Sequence, residues 1–118
     1  RELCLALARK GVRLTVLDYS ESSGKLVGIL EEEHAKLHKD LKKPTAVFVK
    51  CDVTDPGDLA SAFSKHLEAF GRLDICINNA GVGNIIPFYA DKSTDGSGQW
   101  RRTIDVNLMA LIDCTRLA

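Results

Sequence analysis

Asp18 is the residue whose position most directly suggests chemistry. It ends an apolar, β-branched run over residues 12–18, which is typical of a buried parallel strand. An acidic side chain at the carboxyl end of a strand in a βαβ unit can accept hydrogen bonds from the ribose hydroxyls of a dinucleotide. Tyr19 and Ser20 follow, with no basic residue to take a 2′-phosphate, and this favours NAD over NADP. Taken alone, Asp18 could equally be a solvated strand end.

Asn107 is the second candidate. At helical spacing it falls in an apolar stripe, between Trp100, Ile104 and Leu111. An amide buried there without a partner would cost roughly 1–3 kcal/mol. We therefore expect a partner, which could be a backbone group, an ordered water or a catalytic neighbour, and the sequence leaves a purely structural bond open.

The third candidate is the run Asn78-Asn79-Ala80-Gly81, which follows a short apolar strand predicted at 75–77. A strand that ends in two amides and a glycine lets the backbone approach a ligand closely. The following Gly81-Val82-Gly83 is a weak nucleotide signal by itself and lacks the last glycine of a dinucleotide fingerprint.

Helices and strands alternate along the chain. We predict helices at 1–10, 20–43, 55–70 and 100–118, strands at 12–18, 46–51 and 75–77, and a loop at 82–99. Ser20 is predicted to cap the second helix and Pro44 to end it, while Asp55 before Pro56 is a strong start for the third. This order predicts an α/β fold with a doubly wound parallel sheet.

Composition limits the classes of partner. The 118 residues carry 16 basic and 16 acidic side chains, which argues against nucleic acid or an anionic membrane surface as the main partner. No apolar stretch reaches the ~20 residues that a membrane-spanning helix needs. The N-terminus does not resemble a signal peptide.

Cysteines and histidines give no metal signal. The sequence contains no C-x-x-C pair. The four cysteines each lie within an apolar segment, and we expect them to be reduced, buried thiols of a cytoplasmic protein: Cys4, Cys51, Cys76 and Cys114. His34 and His38 have a spacing that can bind zinc, but a solvated helix face is the favoured interpretation. His66 is assigned to the polar flank of its helix.

Four motifs together resemble the short-chain dehydrogenase/reductase family, most closely its NAD-dependent branch similar to hydroxyprostaglandin dehydrogenases. The motifs occur in the same order as in the family and extend over nearly the whole chain, and no single motif would identify the family. They are Val16-Leu17-Asp18, Cys51-Asp52-Val53, Leu73-Asp74-Ile75 through Asn78-Asn79-Ala80-Gly81, and Asp105-Val106-Asn107. The resemblance implies a Rossmann-type domain and an NAD(H)-dependent oxidoreductase that interconverts an alcohol and a carbonyl. It also implies a homo-oligomeric parent protein whose subunit interface includes the last helix.

The resemblance assigns roles residue by residue. Asp18 and Tyr19 would hold the adenosine ribose. Cys51, Asp52 and Val53 would flank the adenine, mainly through backbone and the Asp52 side chain, and Asn79, Ala80 and Gly81 would line the cofactor. Asn107 would be the active-site asparagine, which positions a water in the proton relay to the catalytic lysine.

Two family motifs are not found in residues 1–118. Neither the glycine-rich turn nor a Tyr-x-x-x-Lys pair occurs, so we expect a partial dinucleotide-binding domain from a fragment that lacks both ends. In the strand order 3-2-1-4, the first strand would lie between two strands that are present, which predicts a slot with unpaired backbone groups on both sides. Because a whole domain is stable by only ~5–15 kcal/mol, the absence of a central strand could prevent residues 1–118 from folding on their own.

Two alternatives to the enzyme hypothesis follow from these departures. One is a catalytically inactive truncated isoform that pairs with full-length subunits through helix 100–118. The other is a non-enzymatic nucleotide-sensing domain of the same fold, because fold alone does not determine function.

Overall fold

A computed structural model describes residues 1–83 and 86–118. Helices and strands alternate as α1 Glu2–Ala8, β1 Leu14–Asp18, α2 Leu26–Leu37, β2 Ala46–Lys50, α3 Pro56–Phe70, α4 Gln99–Ile104 and α5 Ala110–Leu117. A π-helical turn, Asp105–Met109, joins α4 to α5, so residues 99–117 form one nearly continuous helix. This order confirms the predicted α/β class.

The sheet consists of β1 and β2, which pair in parallel. The register runs from Leu14 opposite Ala46 to Asp18 opposite Lys50. At the far end, the Cys51 amide donates to the Asp18 carbonyl at 3.0 Å. The carboxyl ends of the two strands therefore meet at one edge of the sheet, where ligands bind in open α/β folds.

Helices cover both faces of this pair. On one face, α1 and α2 pack around Ala8, Leu30 and Ala46, with Leu14 and Val16 of β1 against them. On the other face, residues from β2, α3 and α5 form a second cluster with the inward-facing Leu17: Val49, Cys51, Leu59, Ala62 and Cys114. The side chains of β1 therefore alternate, with Leu14 and Val16 on one face and Leu17 on the other.

The ends of α3 follow the sequence signals closely. The Asp55 carboxylate accepts hydrogen bonds from the amides of Gly57 at 2.7 Å and Asp58 at 2.9 Å, so it caps the helix as predicted. At the other end, Gly71 adopts φ 76°, the left-handed conformation that ends many helices.

The start and end of α2 differ from the prediction. Ser20 makes no capping bond: its hydroxyl lies 2.8 Å from the Ser22 hydroxyl, and its amide donates to the Asp18 carboxylate at 2.8 Å. A 3₁₀ turn, Glu21–Lys25, follows, and α2 begins only at Leu26. The helix ends at Leu37, well before Pro44, because the chain turns at His38, whose ψ of 67° is not helical.

The histidine predictions are also corrected. His34 is only 1% exposed, and its ring nitrogens each lie 2.8 Å from a carbonyl oxygen, one of Leu30 and the other of Val12. The solvated-face interpretation of His34 is therefore wrong: the side chain ties α2 to the turn before β1. Among residues 1–83 and 86–118, no cluster of three or more His, Cys, Asp or Glu side chains could hold a metal ion.

His66 is half-buried rather than on a polar flank. Its Nδ1 lies 2.8 Å from the Thr15 hydroxyl and its Nε2 lies 2.9 Å from the Arg72 carbonyl. A neutral ring that donates from Nε2 and accepts at Nδ1 satisfies both partners. His66 thus connects β1 to the segment that follows α3.

That segment was predicted to contain a strand at 75–77, and it has no strand pairing in the structure. Ile75 and Ile77 are 65% and 49% exposed. A channel of about 1010 Å³ lies between the segment and β1. The radius of gyration, 16.6 Å, exceeds the roughly 13–14 Å of a compact domain of this length.

Two further observations concern exposure. Cys51 and Cys114 are buried as predicted, Cys4 is only partly buried, and Cys76 is exposed, so the expectation of buried thiols is wrong at Cys76. Within the part of the chain that the structure describes, no helix is long and apolar enough to cross a membrane.

The capping difference between Asp55 and Ser20 is testable. Asp55→Ala removes two hydrogen bonds to helix amides and should lower the free energy of unfolding by about 1 kcal/mol. Ser20→Ala removes no capping bond and should cost less than about 0.5 kcal/mol. Urea unfolding of both variants measures the difference, and equal losses would contradict the assigned caps.

Candidate functional site

Asp18 lies exposed at the carboxyl end of β1, where its carboxylate is held in a fixed orientation. One oxygen accepts from the Ser20 amide and the other from the Ser23 hydroxyl, both at 2.8 Å. An ionised carboxylate has about four acceptor positions, so each oxygen keeps room for one more donor. The arrangement suits a ligand that presents two adjacent hydroxyls.

The carboxyl end of β2 lies beside Asp18. Cys51 is 1% exposed and its side chain packs in the core, so only its backbone can reach a ligand. Burial, reinforced by the nearby Asp58 charge, raises the pKa of the Cys51 thiol to about 11, and the side chain is therefore neutral at ordinary pH. Val53 also packs against this core.

Asp52, between Cys51 and Val53, is oriented by its neighbours. Its Oδ1 accepts from the Thr54 hydroxyl at 2.7 Å and from the Thr54 amide at 2.9 Å. These hydrogen bonds hold the pKa of Asp52 below its usual value, and the positive charge of Arg102 adds to the effect. Asp52 is therefore an ionised acceptor near neutral pH.

A small pocket of about 270 Å³ lies between the strand ends and the 99–117 helix. It brings Tyr19 and Asp52 together with Arg102, Asp105 and Val106. Tyr19 is 66% exposed, and its ring is accessible to a ligand. An aromatic ring, an acceptor and an apolar wall suit a flat heterocycle with exocyclic donors.

Residues 78–82 are attached to the 99–117 helix at two points. The Asn78 amide donates to the Thr115 hydroxyl at 3.1 Å. The Asn107 side chain accepts from the Val82 amide at 2.8 Å and donates to the Val82 carbonyl at 3.0 Å. A Cβ atom on Gly81 would lie 3.5 Å from the Asn107 oxygen, ordinary contact, so this neighbour alone does not require glycine at position 81.

The environment predicted for Asn107 is corrected by this geometry. Asn107 is exposed in the structure, because the buried face of the helix is formed by Val106, Ala110 and Cys114. The expected partner is nevertheless present, and it is a backbone group, that of Val82. Asn107 also lies within the π-helical turn, a feature often found at functional sites.

The structure brings only some of the predicted residues to a cavity. Tyr19 and Asp52 line the small pocket, and Asp18, Val53, Asn79 and Ala80 border the large channel. The others line neither of these two cavities: Cys51, Gly81 and Asn107. Sequence reasoning missed several residues that orient or complete these groups: Ser23, Thr54 and Arg102. The spacing Asp52-x-Thr54 is a common turn signature and could have been recognised from the sequence. No sequence pattern around Arg102 indicates that it faces this pocket.

The two hydrogen bonds between Asn107 and Val82 predict a local effect on hydrogen exchange. Asn107→Ala removes both bonds to Val82, so hydrogen exchange of the Val82 amide should accelerate roughly three- to tenfold. Asn78→Ala, which removes only the tether to Thr115, serves as the matched control and should leave Val82 nearly unchanged. Equal acceleration in both variants would show that Asn107 does not specifically hold Val82.

Comparisons with solved structures agree with this fold. A 3-ketoacyl-(acyl-carrier-protein) reductase from Brucella melitensis, solved in complex with NADH, superposes with a TM-score of 0.75 at 20% identity. The match covers 97% of this chain and 42% of that one. A short chain dehydrogenase from Bacillus anthracis superposes with a TM-score of 0.70 at 25% identity, and the match covers 97% of this chain and 42% of that one. Part of a Rossmann fold is therefore present, as predicted.

Sequence comparisons are more specific. Human 15-hydroxyprostaglandin dehydrogenase (NAD(+)) is 31% identical over 117 residues, which cover 99% of this chain and 37% of that protein. Trans-4-hydroxycyclohexanecarboxylate dehydrogenase from Sinomonas cyclohexanicum is 32% identical over 105 residues, or 86% and 37% of the two lengths. The chain thus spans little more than a third of these curated relatives.

A family profile described as short chain dehydrogenase matches residues 1–118, the whole of the chain. The profile match and the identity to relatives over almost the full chain agree with the four motifs found in the sequence. The chain belongs to the short-chain dehydrogenase/reductase family.

Proposed function

We propose that the protein is an NAD(H)-dependent oxidoreductase that interconverts an alcohol and a carbonyl, and that residues 1–118 form the part of its dinucleotide-binding domain that holds the adenosine end of NAD. The observation that carries this proposal is the Asp18 carboxylate, exposed at the carboxyl end of β1 and oriented by two hydrogen bonds. The names of the relatives, 15-hydroxyprostaglandin dehydrogenase (NAD(+)) among them, support the reaction class and cofactor.

Asp18 would accept hydrogen bonds from the two ribose hydroxyls of the adenosine, with Tyr19 beside the sugar. The same carboxylate would repel a 2′-phosphate, because two negative charges would lie within a few ångströms of each other. Arg102 shares the small pocket with Tyr19 and is a cation, so it does not add to this discrimination. The Asp18 carboxylate alone supports NAD in preference to NADP.

The adenine would occupy the small pocket, next to the carboxyl end of β2. Its exocyclic amine would donate to Asp52, which is ionised and acceptor-only near neutral pH. Cys51 and Val53 would contribute their backbone, since both side chains pack into the core. The pocket volume of about 270 Å³ is ample for one heterocycle.

Asn79, Ala80 and Gly81 would line the cofactor farther along the same edge of the sheet. Bound NAD would supply hydride acceptance or donation at its nicotinamide ring. Asn107 would hold the 81–82 backbone through its two bonds to Val82, which makes it a positioning residue for this turn. Its place in a π-helical turn supports the further role of orienting a water in a proton relay.

We also propose a homo-oligomer that uses the 99–117 helix, and a cytoplasmic location. The helix exposes apolar side chains at i, i+4, i+7 and i+8, namely Ile104, Leu108, Leu111 and Ile112. An exposed apolar stripe of this kind commonly marks a protein interface. The same stripe supports the second candidate function, a subunit that pairs with other copies without performing catalysis. Four free cysteines are compatible with a reducing compartment.

The cofactor proposal is tested by direct binding. Asp18→Asn should weaken NAD binding by roughly ten- to a hundredfold, because the bonds to the ribose lose their ionised acceptor, and should bring the affinities for NAD and NADP closer together. Asp40→Asn is the matched control, since Asp40 is an exposed carboxylate remote from the site, and should change neither affinity. Isothermal titration measures both constants without requiring turnover.

The outcomes separate the hypotheses. Unchanged NAD affinity in Asp18→Asn, or equal losses in both variants, would contradict the assignment of Asp18 to the ribose. A wild-type preference for NADP would contradict the proposed cofactor.

A further inference from the structure

Two planar side chains line the small pocket at the edge of the sheet. Tyr19 follows β1 and Arg102 belongs to α4, so they come from different elements that border the pocket. The other lining residues supply two carboxylates, a hydroxyl and an apolar group: Asp52, Thr54, Asp105 and Val106. Tyr19 and Asp52 already have a place in the proposed cofactor site, whereas Arg102 has none.

The guanidinium of Arg102 is not engaged by the protein. Its side chain makes no ion pair or hydrogen bond to any other residue of 1–83 and 86–118, in contrast to those of three other arginines, Arg9, Arg72 and Arg116. Arg102 is exposed. Its five N–H donors and both faces of the planar group are therefore available to a ligand.

The neighbouring Arg101 differs in this respect. Its guanidinium carbon lies over the Trp100 ring, 4.5 Å from the ring centroid, and Arg101 does not line the small pocket. The two arginines carry the same charge at adjacent positions of one helix. Only Arg102 borders the pocket, so the pair provides a matched comparison.

The orientation of Asp52 does not account for the position of Arg102. The two hydrogen bonds from Thr54 are the main reason that the pKa of Asp52 is low, and the charge of Arg102 contributes less. The two charged groups also form no ion pair in the described part of the chain. Asp52 would therefore stay ionised and oriented without Arg102.

The faces of a bound base require a different kind of partner from its edge. Asp52 would accept from the exocyclic amine at the edge of an adenine, while the two faces present only π-electrons. Bases stack on aromatic rings and on guanidinium planes alike. A guanidinium is also more weakly hydrated than an ammonium group, so covering it with a base costs less. The pocket of about 270 Å³ has room for one base between two such planes.

We propose that Arg102 is a base-stacking residue, with its guanidinium against one face of the adenine and the Tyr19 ring against the other. The inference rests on the proposed function, because it takes the adenosine end of NAD as the ligand. It assigns the selection of a flat aromatic base to α4, whereas Asp18 selects the ribose. Arg102 acts through its plane rather than through its charge.

Two substitutions separate the plane from the charge. Arg102→Lys keeps the charge and removes the plane, and Arg102→Phe removes the charge and keeps a plane. Isothermal titration of the whole protein with NAD should show roughly five- to twentyfold weaker binding for Arg102→Lys, and an affinity within about threefold of wild type for Arg102→Phe. Arg101→Lys is the matched control and should leave the affinity unchanged, because Arg101 lies outside the pocket.

Full affinity in Arg102→Lys, or a loss in Arg102→Phe as large as that in Arg102→Lys, overturns the stacking role. The first result would indicate a purely electrostatic contact, such as one to a phosphate. An equal loss in Arg101→Lys also overturns it, since the effect would then not depend on the pocket. Misfolding of Arg102→Lys cannot imitate the expected pattern, because the larger change to Phe preserves binding.

These outcomes are distinguishable from a failure of the cofactor assignment. A wild-type protein that does not bind NAD overturns the proposed function and this inference together. Binding of NAD that depends on Asp18 but is the same in wild type and Arg102→Lys overturns only the role of Arg102.

Discussion

The parallel ladder between β1 and β2 is the interaction on which the candidate site depends. Its last bond, from the Cys51 amide to the Asp18 carbonyl, joins the two strand ends that carry the oriented carboxylates. Asp18 and Asp52 then lie at one edge of the sheet, each fixed by hydroxyl and amide donors from the following turn. Helices on both faces partly bury Leu14, Val16 and Leu17, and this packing favours the observed register.

The 99–117 helix provides the second support. Its buried residues join the core beside β2, while Asn107 and Thr115 hold the 78–82 segment from the same helix. This support does not come from strand pairing, because the segment makes no backbone–backbone hydrogen bond to another described residue. His66 adds a third attachment, between β1 and Arg72. Side-chain hydrogen bonds therefore position the part of the site that the sheet does not.

The sequence predicted features that are determined locally. Asp55 and Gly71 mark the ends of α3 because a cap and a left-handed glycine act within one turn of the chain. One prediction failed because a distant group competes. His34 was expected on a solvated face but is buried, because it reaches the Val12 carbonyl 22 residues away. The Ser20 prediction failed for a local reason: its hydroxyl pairs with the Ser22 hydroxyl and with no helix amide. The strand at 75–77 needs a neighbour that the sequence of the segment cannot reveal.

We propose above all that Asp18 receives the adenosine ribose of NAD, and a crystal structure of the protein with NAD tests this assignment most directly. We expect both ribose hydroxyls to lie about 2.6–3.2 Å from the Asp18 carboxylate oxygens, with the adenine in the pocket formed by Tyr19, Asp52 and Val106. An adenosine ordered elsewhere, with Asp18 bonded only to Ser20, Ser23 and solvent, would contradict it.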